Sequence, residues 1–267
     1  MGRVVYADRA IIGGTGVYDA ALLTDAKEHE ISTPYGSVTC TVGTYEGQSI
    51  AFMPRHGKGH SVAPHQVNYR ANLYALRDIG VKNILSTAAV GSLRLALAPG
   101  ALVIVDQFLD FTKGRPSTFF EGDRPVGHVD MTDPYCRRLR EHLAATALAQ
   151  GIHVSHGGTY VCAEGPRFET PAEIRMFAQL GGDVVGMTSV PEVVLAKELG
   201  LCYATIAMVT NLCAGLSGRP LTHQEVVTEM AQNVHRIRSL FFAAFVTLGQ
   251  SAGSACDCAS AAGIMGT

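Results

Sequence analysis

The loop Pro54-Arg55-His56-Gly57-Lys58-Gly59-His60 gathers cationic donors and glycines directly after an apolar run, a composition suited to holding an anion. Arg55 offers a planar fork that grips a phosphate at two oxygens, whereas Lys58 taken alone reads as an ordinary solvent-facing lysine. Gly13-Gly14-Thr15-Gly16 follows another apolar run. Its glycines admit backbone N–H groups to an anion and Thr15 adds a hydroxyl, although the same residues also suit a plain tight turn. The dinucleotide fingerprint is broken at Asp19, where its last glycine belongs, and a Walker A lysine is missing, so an oxidoreductase or nucleotide-hydrolase reading of this loop is poorly supported.

Three further stretches carry polar groups at the junction of an apolar run and a helical pattern. In Ala163-Glu164-Gly165-Pro166-Arg167-Phe168-Glu169-Thr170, Glu169 read in isolation is a solvated carboxylate favouring a helix N-terminus, and Phe168 is a core ring. Met187-Thr188-Ser189-Val190-Pro191-Glu192 offers a hydroxyl and free N–H groups. Thr210-Asn211 closes the last apolar run, and His223 opens the last helix. The set lacks a Ser-His-Asp arrangement, a reactive Cys-His pair and two facing carboxylates, so covalent hydrolase and glycosidase chemistry is unsupported. His60 and His65 have no partners at zinc spacing, and no metal is expected.

The elements that must position these loops are legible as buried apolar runs at Ala10–Ile12, Ser49–Met53, Asn83–Ala88, Ala101–Val105, Thr159–Cys162, Asp183–Gly186 and Cys202–Val209. Helical periodicity alternates with them at Gln66–Ile79, Tyr135–Ala149, Pro171–Leu180, Pro191–Leu199 and Thr222–Leu248, with Gly80, Gly151, Gly181 and Gly200 standing where C-caps belong. Ser or Thr followed three residues later by Glu predicts capping boxes at Thr170 with Glu173, Ser189 with Glu192 and Thr222 with Glu225. The pattern predicts an α/β fold in a single domain, residues 1–248, followed by a flexible C-terminal tail, 249–267, rich in Ser, Ala and Gly. In such a sheet ligands bind at strand ends, where all five loops fall, so they are expected to build one site.

Composition narrows the partner. With 47% hydrophobic and 16% charged residues, a net charge of -2 and no extended basic run, the chain has material for a core but not the electrostatic footprint of a nucleic-acid or membrane-surface binder. The first residues lack a secretory pattern and no apolar stretch reaches membrane-spanning length, so a cytoplasmic location is expected. Cys40, Cys136, Cys162, Cys202 and Cys213 sit singly in apolar surroundings as buried free thiols. Cys256 and Cys258 in the tail read as two exposed thiols.

Taken together, GGTG, PRHGKGH, PHQVNYRANLYAL, STAAVGSL, AEGPRFETPAE, GMTSVPEVVLAKELG and MVTN, in this order from about Ile11 to Phe245, resemble the trimeric purine nucleoside phosphorylase and methylthioadenosine phosphorylase family. The resemblance implies a twisted central mixed β-sheet surrounded by helices, and a homotrimer with sites near subunit interfaces. It also implies cleavage of a purine nucleoside by phosphate to free base and ribose 1-phosphate, with no cofactor beyond phosphate as co-substrate. By motif, phosphate falls to Thr15, Arg55, His56, the backbone at Ala89 and Thr188. The base falls to Phe168, the ribose to Met187, and His128 to a neighbour's sugar pocket. Asn211 and His56 are the expected catalytic residues. The cysteine pair at 256 and 258 resembles the ending of some heat-stable phosphorylases, where such cysteines form disulfides.

Adenine-type members carry Asp where this chain has Asn211 and a small residue where it has Glu169. A 6-oxopurine has a protonated N1 and an O6 acceptor. It wants a carboxylate at N1–H and an amide that accepts from one atom while donating to another, which an ionised Asp cannot do. His223 replaces an apolar residue of methylthio-specific relatives and suits a 5′-hydroxyl. The expected substrates are inosine and guanosine; 5′-methylthioinosine and 5′-methylthioadenosine are the alternatives, the apolar loop Leu212–Gly218 speaking for the former.

Overall fold

The computed structural model describes residues 5–14, 17, 22–122, 126–218, 223–248, 256–260 and 264–265. Along the chain run β1 (Arg9–Gly13), β2 (Thr24–Thr33), β3 (Gly36–Tyr45), β4 (Gln48–Pro54), α1 (Tyr69–Asp78), β5 (Asn83–Ser92), β6 (Leu102–Ile104), β7 (Gln107–Phe111) and β8 (Gly127–His128). They are followed by α2 (Arg137–Ala149), β9 (Ser155–His156), β10 (Thr159–Ala163), α3 (Pro171–Gln179), β11 (Val184–Gly186), α4 (Ser189–Glu198), β12 (Cys202–Leu212), α5 (His223–Thr247) and β13 (Ile264–Met265).

Eleven strands form one mixed sheet in the order β2-β3-β4-β1-β5-β11-β10-β7, with β12 beside β5, β6 beside β12 and β9 beside β6. The apolar runs become buried strands because helices cover both faces. On β12, Ala204, Ile206 and Met208 pack with Leu139 and Leu143 of α2 and Ile237, Phe241 and Phe245 of α5. The alternate residues Tyr203, Ala207 and Val209 pack with Leu73 and Leu76 of α1 and Val193 and Leu195 of α4. Each such large side chain contributes about 1.5–3 kcal/mol on full burial.

The strand that shapes the site is β5. Its first half pairs with β1, up to Ile12 opposite Ser86, and its end pairs with β11, from Val185 opposite Gly91. On that edge Thr87 to Val90 have no strand partner among the described residues, so the sheet forks there and leaves a crevice. The other edge stays closed by parallel β12 along its length, with one irregularity between Val209 and Asn211.

The chain differs from the sequence reading in several places. β2 and β3 form a long hairpin that the pattern of TDAKEHEIST did not reveal, because its residues are mostly exposed and charged. Thr170 and Glu173 make the expected capping box, and Gly80, Gly151, Gly181 and Gly200 end their helices at φ of 98°, 66°, 89° and 70°. Ser189 and Glu192 do not form one. Thr188 is the N-cap of α4, Val190 is extended, and both side chains of the expected box bond elsewhere. The Thr222 box lies outside the described residues. Of the expected loose tail, Cys258 is buried against the α2/α5 core and Ile264–Met265 pair with Gly127–His128. No helix of the described residues is long and apolar enough to cross a membrane.

Candidate active site

The fork in the sheet opens into a cavity of about 610 Å³. Every loop singled out in the sequence reaches it: Gly14, Arg55 and His56, Phe168 and Glu169, Met187 and Thr188, and Asn211, together with Ala89 at the unpaired edge of β5. Thr15 lies outside the described residues. The apolar wall is Val226, Val227, Met230, Ala231 and Val234 of α5. His223 is the first residue of α5, and its side chain lies outside the described residues. His128 is the exception: it is exposed on β8 and does not line the cavity of its own chain.

Arg55 is held inside the protein. Its Nε and Nη2 donate to the two carboxylate oxygens of Glu192, each at 2.7 Å, while Nη2 also donates to Ser86 Oγ at 2.6 Å and Nη1 to the Thr87 carbonyl at 2.9 Å. Four of the five N–H groups are thereby engaged, and one on Nη1 remains. Burial opposes the charge, but the Glu192 carboxylate outweighs it and keeps the guanidinium protonated. Glu192 is fully buried and also accepts from Ser86 Oγ at 3.1 Å and Tyr203 OH at 2.6 Å. The sequence shows Glu192 at capping-box spacing, which hid its long-range partner.

His56 stacks on His60 with ring centroids 4.2 Å apart. Its Nδ1 lies 2.9 Å from the Val62 carbonyl, which only accepts, so the hydrogen sits on Nδ1 and Nε2 is an acceptor. Burial and the adjacent Arg55 charge hold the imidazole down at about 4, neutral at physiological pH.

The carboxylate of the cavity is Glu169. Its Oε1 is buried without a hydrogen-bond partner among the described residues, and burial pushes its pKa above the usual range. The Thr87 hydroxyl, on the unpaired stretch of β5, is likewise buried and has no partner among the described residues. Asn211 is oriented rather than free: Thr210 Oγ1 donates to its Oδ1 at 2.8 Å, and its Nδ2 donates to the Leu212 carbonyl at 3.0 Å. Each end of the amide keeps one position, a donor and an acceptor, for a ligand. Gly91 makes this possible, since a Cβ there would sit 2.7 Å from Cys213 Sγ and 3.1 Å from Asn211 Nδ2.

Sequence reading also missed Arg115, which carries no motif. Its buried guanidinium donates to the carbonyls of Met187 and Val190 at 2.8 Å and of Glu164 at 2.7 Å, and pairs with the Glu164 carboxylate at 3.0 Å. One side chain thus fixes the loop bearing Glu169 against the loop bearing Thr188.

Residues 8–247 match the phosphorylase superfamily, and the chain belongs to it. It is 57% identical over 235 residues to the probable 6-oxopurine nucleoside phosphorylase of Dictyoglomus turgidum, covering 88% of this chain and 89% of the relative. It is 49% identical over 236 residues to the probable S-methyl-5′-thioinosine phosphorylase of Methanothermobacter thermautotrophicus, covering 88% and 82%. Among solved structures, a methylthioadenosine phosphorylase sourced from an antarctic soil metagenomic library superposes with a TM-score of 0.90 at 36% identity, covering 98% of this chain and 94% of the other.

Proposed function

We propose that this enzyme cleaves 6-oxopurine nucleosides, inosine and guanosine, with inorganic phosphate, giving the free base and ribose 1-phosphate. The observation that carries the base preference is the partnerless Oε1 of Glu169 in the cavity shared with Asn211. A 6-oxopurine brings an N1–H to satisfy that oxygen. Adenine brings a lone pair at N1 and leaves it unpaired, a penalty of about 1–3 kcal/mol or more for a charged group. Asn211 complements the same base, donating to O6 through Nδ2 and accepting N7–H through Oδ1 as the leaving purine gains its proton.

In this reading Thr15, the remaining Nη1 hydrogen of Arg55, the backbone at Ala89 and the hydroxyls of Thr87 and Thr188 donate to phosphate. Neutral His56 accepts from its protonated oxygen. Phe168, 38% exposed, supplies a stacking face for the base, and Met187 lies under the ribose. The glycosidic bond lengthens first, the sugar becomes oxocarbenium-like, and phosphate held beneath C1′ is both counter-charge and nucleophile. Preorganised donors and positioning lower such a barrier without a covalent enzyme intermediate, a metal or an organic cofactor at the reacting atoms.

The reading includes a homotrimer working in purine salvage in the cytoplasm. Its support is that His128 stands exposed and away from its own cavity, as a residue lent to a neighbour would. A second reading, phosphorolysis of 5′-methylthioinosine, is favoured by the apolar wall from Val226 to Val234, which would accept a thiomethyl group, and by the similarity to the Methanothermobacter protein. The test is release of hypoxanthine from inosine and from 5′-methylthioinosine with and without phosphate. Release only with phosphate supports the reaction, and the faster nucleoside decides the 5′-group. Equal release without phosphate would overturn it.

A further inference from the structure

At the far end of β12 from Asn211, four cysteines from three parts of the chain converge. Cys136 is the N-cap of α2, Cys202 is the first residue of β12, and Cys256 and Cys258 come from the C-terminal segment. Their four sulfurs all lie within 4.8 Å of one another. We infer that Cys136, Cys202, Cys256 and Cys258 form a structural Zn(II) site that ties the C-terminal segment to the start of α2 and the start of β12.

The geometry separates this from the alternatives. A tetrahedral tetrathiolate with Zn–S of about 2.3 Å has sulfur–sulfur edges of roughly 3.8 Å. The four sulfurs, all within 4.8 Å of one another, leave room for those edges, and Cys202 Sγ lies 3.3 Å from Cys256 Sγ, beyond the ~2.05 Å of a disulfide. All four are free thiols, and only Cys256 is not fully buried. Three buried thiols and one half-buried thiol converging on one point make a coordination shell.

The surroundings also fit. Zn(II) bound by four thiolates releases the thiol protons and carries two net negative charges, and a cation stands beside it: Arg138 Nη2 is 3.5 Å from Cys202 Sγ and is anchored by Asn83 Oδ1 at 2.5 Å. The backbone is already in place, since Cys136 N–H donates to the Tyr203 carbonyl at 2.8 Å. The segment held by the site leads into Ile264–Met265, which pair with Gly127–His128. The site lies about 30 Å of strand away from Asn211, too far to enter the chemistry.

The test is elemental analysis of the full-length enzyme purified under reducing conditions from zinc-replete medium, with electronic spectra after exchange with Co(II). The expected result is about one zinc per chain, tetrahedral cobalt–thiolate bands, and a Cys256→Ser/Cys258→Ser variant that loses the metal and unfolds at lower temperature with unchanged kcat. Wild-type protein without metal would overturn the site, whether alkylation and mass spectrometry then find two disulfides or four free thiols. So would metal retained at full occupancy in the double variant. Should that variant fail to fold, the wild-type metal content and cobalt spectrum decide.

Discussion

Among the described residues the cavity holds one cation and one carboxylate, and the protein treats them in opposite ways. Arg55 is gripped by Glu192, Ser86 and the Thr87 carbonyl, so its position is set before any ligand arrives. Glu169 is half-buried, with one buried oxygen, Oε1, that no group among the described residues satisfies. A paired buried charge is a fixed part of the scaffold, whereas an unpaired one is a cost that only a ligand offering a donor removes. On the proposed function, Arg55 organises the phosphate end without much discrimination, and Glu169 selects the base.

The largest expected effect breaks the fixed half. Glu192→Ala leaves the Arg55 charge buried and unpaired, and should lower stability by about 3–5 kcal/mol in a denaturant titration, with a raised KM for phosphate. A loss below ~1 kcal/mol would show that Glu192 does not organise the pair. The waiting half should behave differently. Glu169→Gln is expected to reduce kcat/KM for inosine by roughly 100-fold while stability holds or rises, because a desolvated negative charge has been removed. Activity and stability falling together would make Glu169 structural.

Asn211→Asp sharpens the same contrast. An ionised side chain only accepts, so activity on inosine should fall about tenfold or more and the preference should move toward adenosine, whose 6-amino group donates. No shift between the two substrates would remove the amide from base recognition. The smallest effect is in pH. Protonating Glu169 removes the acceptor for N1–H, so kcat/KM for inosine should decline on the acid side through a pKa above the ordinary carboxylate range. His56, held down at about 4, should contribute no break near neutrality. Glu169→Gln should abolish the Glu169 limb, and a limb that survives belongs to another group.

Much of this was legible in the sequence because it is local. A strand buried on both faces writes a continuous apolar run, as β12 does, and a glycine after a helical pattern marks a C-cap. The β2–β3 hairpin was not legible, since its exposed positions carry Lys27, Glu28 and Glu30 rather than alternating with apolar residues. Within the site, the loops and most candidate residues could be read from residue type at strand ends. Glu192 was misread because Ser-x-x-Glu is a local signal, whereas its partner Arg55 is 137 residues away. Arg115 acts mainly on carbonyls, which have no sequence identity, and the cysteine cluster joins three segments, with Cys202 and Cys256 54 positions apart. Such features exist only once the fold has brought distant segments together.

The most direct test of the central claim, that the partnerless Oε1 of Glu169 reads N1–H, is the ratio of phosphate-dependent kcat/KM for inosine over adenosine in the unaltered enzyme. The account predicts a preference of at least ~100-fold for inosine. Adenosine turned over as well as inosine would contradict it.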